Sequence, residues 1–165
     1  MKYMTKPEYA RGWRSGLPET PCGSGSTIRA TKVQRDWIPA MVEKYGIKSI
    51  ADIGAGDLHW VSRVDLGCEY SAYDLIVRDS SVTELNLLKD DLPEADCLMV
   101  VWVLNHFSPA NQRKAMKKLL KSKARYLIIT YDNRLEKIIN TPYIEKALLK
   151  HDRGVDLEIR LIELC

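Results

Sequence analysis

The chain is short of several things that mark particular kinds of protein. Among 165 residues there are one phenylalanine, three histidines and four cysteines. Cys22, Cys68, Cys97 and Cys165 stand far apart, without the C-x-x-C spacing of a zinc or redox centre. They are expected to be reduced and mostly structural, and no metal site is expected. No apolar run approaches the ~18 residues that cross a bilayer, and the opening MKYMTKPEYARGWR lacks the apolar stretch of a secretory signal. A cytoplasmic protein with no membrane partner is the expectation. Charge of one sign is lacking too: 25 basic against 22 acidic residues leave +3, and the pI of 8.6 falls short of the value above about 9 that advertises nucleic-acid binding. Composition therefore gives nucleic acid no support as a partner, without excluding it.

What is present, 45% hydrophobic and 28% charged side chains, suffices for one core rather than two. Residues 1–26, with Tyr3, Tyr9, Trp13 and then "LPETPCGSGST", hold no sustained period and are expected to form an irregular arm or lid ahead of a single domain over 27–165. From Thr27 the pattern turns helical, with Ile28, Val33, Trp37, Ile38, Met41 and Val42 on one face, Pro39 as a kink and Gly46 as the stop. "KSIADIGA" (48–55), "EYSAYDL" (69–75), "CLMVVWVL" (97–104) and "RYLIITY" (125–131) have the length and β-branched or aromatic content of buried strands.

Between the last two lies "SPANQRKAMKKLLKSK", with Ser108 as N-cap, Pro109 as first helical residue and Ala115, Met116, Leu119 and Leu120 as a core stripe. Its basic residues Arg113, Lys114, Lys117, Lys118, Lys121 and Lys123 read as a solvated face or as a phosphate-binding patch. "VTELNLL" (82–88) reads as a short extra strand, "YIEKALLKH" (143–151) as a helix and "VDLEIRLIEL" (155–164) as a final strand. Alternating strands and helices predict an α/β fold, a doubly wound, mostly parallel sheet in three α/β/α layers.

In such a sheet the ligand sits beyond the carboxyl ends of the central strands, where the winding reverses. "IADIGAGDLHW" (50–60) ends the first strand there, and its turn Gly54, Ala55, Gly56 lets backbone approach a ligand closely. A dinucleotide fingerprint needs a third glycine where this chain has His59, which argues against NAD. Asp52 and Asp57 flank the turn with carboxylates that would repel a pyrophosphate and welcome an ammonium or sulfonium. Asp74 closes the second strand where a carboxylate can accept from both ribose hydroxyls of either cofactor.

These segments resemble the class I S-adenosylmethionine-dependent methyltransferases, whose Rossmann-like fold matches the predicted one. "DIGAGD" resembles their D-x-G-x-G turn, "AYDL" their acidic second strand end, "NLLKDDLPEAD" their third segment and "VLNHFS" the segment after the fourth strand. "GSGST" (23–27), "IADIGAGDLHW" and "LPEADCLMVVWVLNHFS" are similar to a subgroup of small bacterial and phage methyltransferase-like proteins; the likeness spans roughly residues 23–135. The resemblance implies a methyl-transferring enzyme with S-adenosyl-L-methionine as cofactor and S-adenosyl-L-homocysteine as product. It further implies that Asp52, Gly54, Ala55 and Gly56 border the methionine portion, with Asp57 beside them. Asp74 would hold the ribose, Leu75 would pack on adenine, and Asn86, with Leu87 beside it, would face the adenine amino group. Ser24, Gly25, Ser26 and Thr27 would fold over the methionine carboxylate.

The subgroup often ends its fourth strand in an Arg-Asp pair, where this chain has Val101 and Trp102. Trp102 reads as an apolar wall of the cofactor site or as a core residue. Methyl transfer needs alignment, a dry site and, for a poor nucleophile, a base. His106 in "VLNHFS" is the candidate base or a structural imidazole capping its turn; Tyr131 and Asp132 are candidates for binding or orienting the acceptor. Trp60 reads as lid or adenosine packing, or as core, and His59 favours no role.

A small molecule or nucleotide is the expected acceptor. The [DNS]-P-P-[YFW] segment of DNA amino-methylating enzymes is replaced by "WVLN", and no Pro-Cys nucleophile for cytosine C5 is present. Lys2, Tyr3, Tyr9, Arg11, Trp13 and Arg14 would cover the acceptor or simply pack. Two alternatives compete: a non-catalytic cofactor-binding regulator or scaffold, and an NAD-dependent enzyme.

Overall fold

The computed structural model describes residues 19–132, 142–149 and 157–164. The tyrosines, Trp13 and basic residues of the N-terminal arm lie outside them. Seven strands form one sheet: β1 (Ser49–Ile53), β2 (Glu69–Asp74), β3 (Val82–Glu84), β4 (Cys97–Val100), β5 (Tyr126–Asp132), β6 (Glu145–Leu149) and β7 (Leu157–Glu163). Their order is β3-β2-β1-β4-β5-β7-β6. The first five pair in parallel, while β7 runs antiparallel to both β5 and β6. The winding reverses between β1 and β4, which opens the crevice at their carboxyl ends.

Among the described residues, one long helix covers each face. Helix α1 (Lys32–Tyr45) ends on Gly46 in the left-handed region, φ 59°, and a short turn returns the chain into β1, so helix and strand run antiparallel. Its Ile38, Met41 and Val42 pack with Ile50, Cys97, Met99 and Ile128. On the other face, α2 (Pro109–Leu119) places Ala115, Met116 and Leu119 against Ala51, Ile53, Leu98 and Ile129. The Ser108 hydroxyl caps α2 by accepting from the Asn111 N–H at 3.3 Å, a cap worth about 1 kcal/mol. Of the basic residues on and after this helix, Lys118 donates to the backbone carbonyls of Leu87 and Asp90, Lys123 pairs with Glu94 at 3.3 Å, and Arg113, Lys114, Lys117 and Lys121 are exposed.

Three expectations are corrected. The segment 143–151 carries β6 over Glu145–Leu149 instead of a helix. Its apolar spacing suits either, but pairing with β7 buries Leu149 and leaves Lys146 and Leu148 outward, while the Glu145 carboxylate accepts from Lys44 and from the Tyr45 hydroxyl. The strand expected over 97–104 stops at Val100, where the chain turns out of the sheet. The first helix begins at Lys32, not at Thr27: Ser24–Ser26 form one 3-10 turn, and the Thr27 and Thr31 hydroxyls bond backbone locally. The extra strand near 82 and the final strand are where the pattern puts them.

Candidate functional site

The glycine turn is held in place from below by the next strand. Gly54 and Ala55 donate to the Tyr73 carbonyl at 2.7 and 3.0 Å. Gly54 and Gly56 take φ values of 100° and 66°, a region where a Cβ is strained. Space forbids one as well: a Cβ on Gly54 would lie 2.1 Å from Val103 Cγ2, and one on Gly56 2.9 Å from Cys22 Sγ. Asp74 locks the corner, accepting from Gly56 N–H through Oδ2 at 2.8 Å and from Ile76 N–H through Oδ1 at 2.9 Å. Each oxygen keeps a lone pair for a further donor.

Asp52 is in a different environment. It is 3% exposed and accepts from the Tyr70 hydroxyl at 2.7 Å. Burial pushes its carboxyl up to about 7; the Tyr70 bond opposes this and the nearby Asp74 adds to it. The same burial and the Asp52 charge keep the Tyr70 phenol protonated. An approaching cation would stabilise the ionised carboxylate.

The segment from Glu19 lies across the turn. Thr20 donates to Asp57 Oδ2 at 2.8 Å, Glu19 pairs with His59 Nε2 at 2.9 Å and accepts from Ile28 N–H at 2.7 Å. Asp57 and His59 thus tie down this segment. Burial and the Asp57 charge push the Cys22 thiol up to about 11, so it stays a thiol at neutral pH. Gly25 rests on the Trp102 indole, its Cβ position 3.6 Å from Cδ2. Ser24 is exposed, while Ser26 and Thr27 are half-buried.

Trp102 follows the end of β4 with φ 60°, a left-handed conformation that costs a side-chain-bearing residue about 1–2 kcal/mol. Its N–H donates to the Thr130 hydroxyl at 2.8 Å, which holds the turn. Strain held in this way often marks a functional wall. His106 lies in the 3-10 turn Leu104–His106, hydrogen-bonded to the Trp102 backbone and 3.3 Å from Asn105 Nδ2. Burial lowers its imidazole to about 4, so it is neutral at physiological pH and only weakly basic.

The other expected residues divide. Leu75 is half-buried beside Asp74. Asn86 uses Oδ1 to accept from Leu88 N–H at 3.0 Å, within its own turn, and Leu87 is buried in the α2-side core. Trp60, 7% exposed, belongs to the α1-side core, and Ala55 packs with Ala72 and Val82. Tyr131 is buried, 4% exposed, with the Arg160 guanidinium 3.5 Å from its ring centre, so its ring is packed and not on an open rim. Asp132 ends β5 opposite Leu157. Tyr70, Val103 and Gln34 were not anticipated. Gln34 left a signal, a polar residue at the position of the α1 stripe four before Ile38, and it is fully buried.

No family model and no curated protein sequence matches this chain. Among solved structures, the arrangement is the fold of the class I S-adenosylmethionine-dependent methyltransferases. In particular it is similar to the N-methyltransferase NodS from Bradyrhizobium japonicum WM9 in complex with S-adenosylhomocysteine, with TM-score 0.62, 13% identity, and 82% of this chain and 85% of that one covered. The methyltransferase domain of a bacterial Hen1 protein gives TM-score 0.62 at 13% identity, covering 84% of this chain and 100% of that one. The 1,6-didemethyltoxoflavin-N1-methyltransferase of Burkholderia thailandensis, with its substrate and S-adenosylhomocysteine bound, gives 0.62 at 11%, covering 80% and 78%. Among the described residues there is no cluster able to hold a metal and no helix long and apolar enough to cross a membrane.

Proposed function

We propose that this chain is an S-adenosylmethionine-dependent methyltransferase acting on a small-molecule or nucleotide acceptor. The observation that carries the reading is the corner in which Gly56 N–H bonds the Asp74 carboxylate, at the carboxyl ends of β1 and β2 and beside the reversal in strand order. Backbone approaches closely there, and a carboxylate with spare lone pairs waits one strand away, as a ribose requires. Asp52 fits the cationic end of the same ligand, since a buried acid gains charge stabilisation from an ammonium.

Gly54, Ala55 and Gly56 would border the methionine portion, with the Ser24–Thr27 segment above it and Trp102 as an apolar wall that excludes water. Leu75 and Asn86 would flank the adenine. When bound, the cofactor supplies a methyl group on a sulfonium, open to in-line displacement. His106 is the proposed acceptor-side hydrogen-bonding residue, neutral and too weak to act as a strong base, and Asp132 the second polar residue at this end of the sheet. With its imidazole lowered to about 4, His106 suits an acceptor whose lone pair is free at neutral pH, such as an uncharged nitrogen. Two of the similar structures are nitrogen methyltransferases by name, which supports that choice.

Calorimetric titration with S-adenosylmethionine and with S-adenosylhomocysteine tests the reading. Saturable binding of both is expected, with a proton released near pH 6 as Asp52 ionises, seen as a dependence of the heat on buffer ionisation enthalpy. Binding of neither by the folded protein would overturn it and leave a scaffold role.

A further inference from the structure

The function proposed above gives Gln34 nothing to do, yet no other side chain in the sheet-facing stripe of α1 is placed so unfavourably. It is 0% exposed, and neither Nε2 nor Oε1 finds a hydrogen-bond partner among the described residues. Leaving a carboxamide dry and unpaired costs free energy that an apolar residue of similar shape would avoid. Natural structures rarely keep such a group without a use.

Its height on the sheet follows from the packing. Ile38 and Ile50 belong to one core cluster, and α1 runs antiparallel to β1. Gln34 lies four residues before Ile38, about 6 Å along the helix, and Asp52 two residues after Ile50 on the same face, about 6.6 Å along the strand. Both buried polar side chains therefore lie toward the carboxyl end of β1, the end at which the glycine turn sits.

We propose that Gln34 is a binding residue for the α-amino-acid head group of the cofactor, Oε1 accepting from its ammonium beside Asp52 and Nε2 donating to its carboxylate. An amide presents one acceptor and one donor side by side, which is the pattern complementary to a zwitterion carried on a single carbon. Asp52 alone could take the ammonium but has nothing to offer a carboxylate. This inference rests on the cofactor reading proposed above. Because Gln34 is closed to solvent, contact requires the residues over it to part.

The test uses two ligands that share a thioadenosine and differ in the head group: S-adenosylhomocysteine has it, and 5′-methylthioadenosine does not. Titrating the full chain, Gln34→Leu is expected to weaken S-adenosylhomocysteine about 10- to 100-fold, the range for hydrogen bonds to charged groups, and to leave 5′-methylthioadenosine unchanged. The ligand-free variant is expected to melt at a higher temperature than the parent, because the unpaired amide is gone. Equal weakening of both ligands, unchanged binding of S-adenosylhomocysteine, or a lower melting temperature would overturn the assignment. Gln34→Met, unbranched and closest in shape, repeats the test if the leucine packs poorly; failure of both variants to fold would make Gln34 structural. Failure of the parent protein to bind either ligand sinks the cofactor reading itself, a result distinct from any failure of Gln34.

Discussion

Two polar regions lie within one strand of each other and are built on opposite terms. Around Asp74 everything is paired: its two oxygens hold Gly56 and Ile76, its own carbonyl accepts from Leu85 N–H at 2.8 Å, and the glycines bond the Tyr73 carbonyl. Around Asp52 and Gln34 pairing is sparse: the buried carboxyl, raised to about 7, accepts from the Tyr70 hydroxyl, and the amide has no partner among the described residues. The first region spends its hydrogen bonds on the fold and only leftover lone pairs face a ligand. The second withholds them, so a ligand's gain there is larger and the ligand-free protein is less stable for it.

Breaking the paired corner should do the most damage. Gly54→Ala places a Cβ into Val103 at a φ of 100°, and overpacking with backbone strain is expected to cost about 2–4 kcal/mol in urea unfolding. Adding Val103→Ala should restore the steric share and leave the conformational one. A loss below about 0.5 kcal/mol for the single variant, the scatter of ordinary surface changes, would show the turn to be less constrained than its geometry says.

Next in size is Asp74→Ala, which strands the Gly56 and Ile76 amides and is expected to lower stability by about 1–3 kcal/mol while weakening nucleoside binding. Asp52→Asn sharpens the contrast, since it should weaken cofactor binding with little loss of stability. If the two variants lose stability equally, the distinction between the regions collapses.

The parent's own pH profile should move least, because two buried groups oppose each other. His106 is lowered from 6.5 to about 4, so between those values the unfolded chain holds a proton that the folded one lacks, and stability rises with pH. Asp52 is raised from 3.8 to about 7, so the folded chain holds the extra proton and stability falls with pH across that window. From about pH 4 to 6.5 the slopes cancel and the parent should look flat. Asp52→Asn should uncover a rise, and His106→Gln a fall, of up to about 1.4 kcal/mol per pH unit. A slope of the wrong sign in either variant would mean that the buried group is charged in the fold.

Much of this was legible in the chain because it is written in local patterns. Ser108 before Pro109 and Gly46 after Tyr45 mark helix ends by their own chemistry. Largely apolar runs at Ser49–Ile53 and Cys97–Val100 announce parallel strands buried on both faces, and Gly54 and Gly56 announce a tight turn. Other features depend on neighbours distant in sequence. Glu145–Leu149 became a strand only because β7 offers its edge, and Tyr131 is buried by Arg160 from another strand. Trp102 takes the left-handed region in a turn where its N–H bonds the hydroxyl of Thr130, 28 residues away. The dry burial of Gln34 belongs to the same class, since closure of the sheet over one position of a helix carries no mark in the segment itself. The sequence by itself determined the alternation of strands and helices, the helix ends and the chemistry at the carboxyl end of β1. Tertiary structure alone decided which of those polar groups are paired and which are left dry, because solvation and partnership are properties of a site in space and not of a residue in a chain.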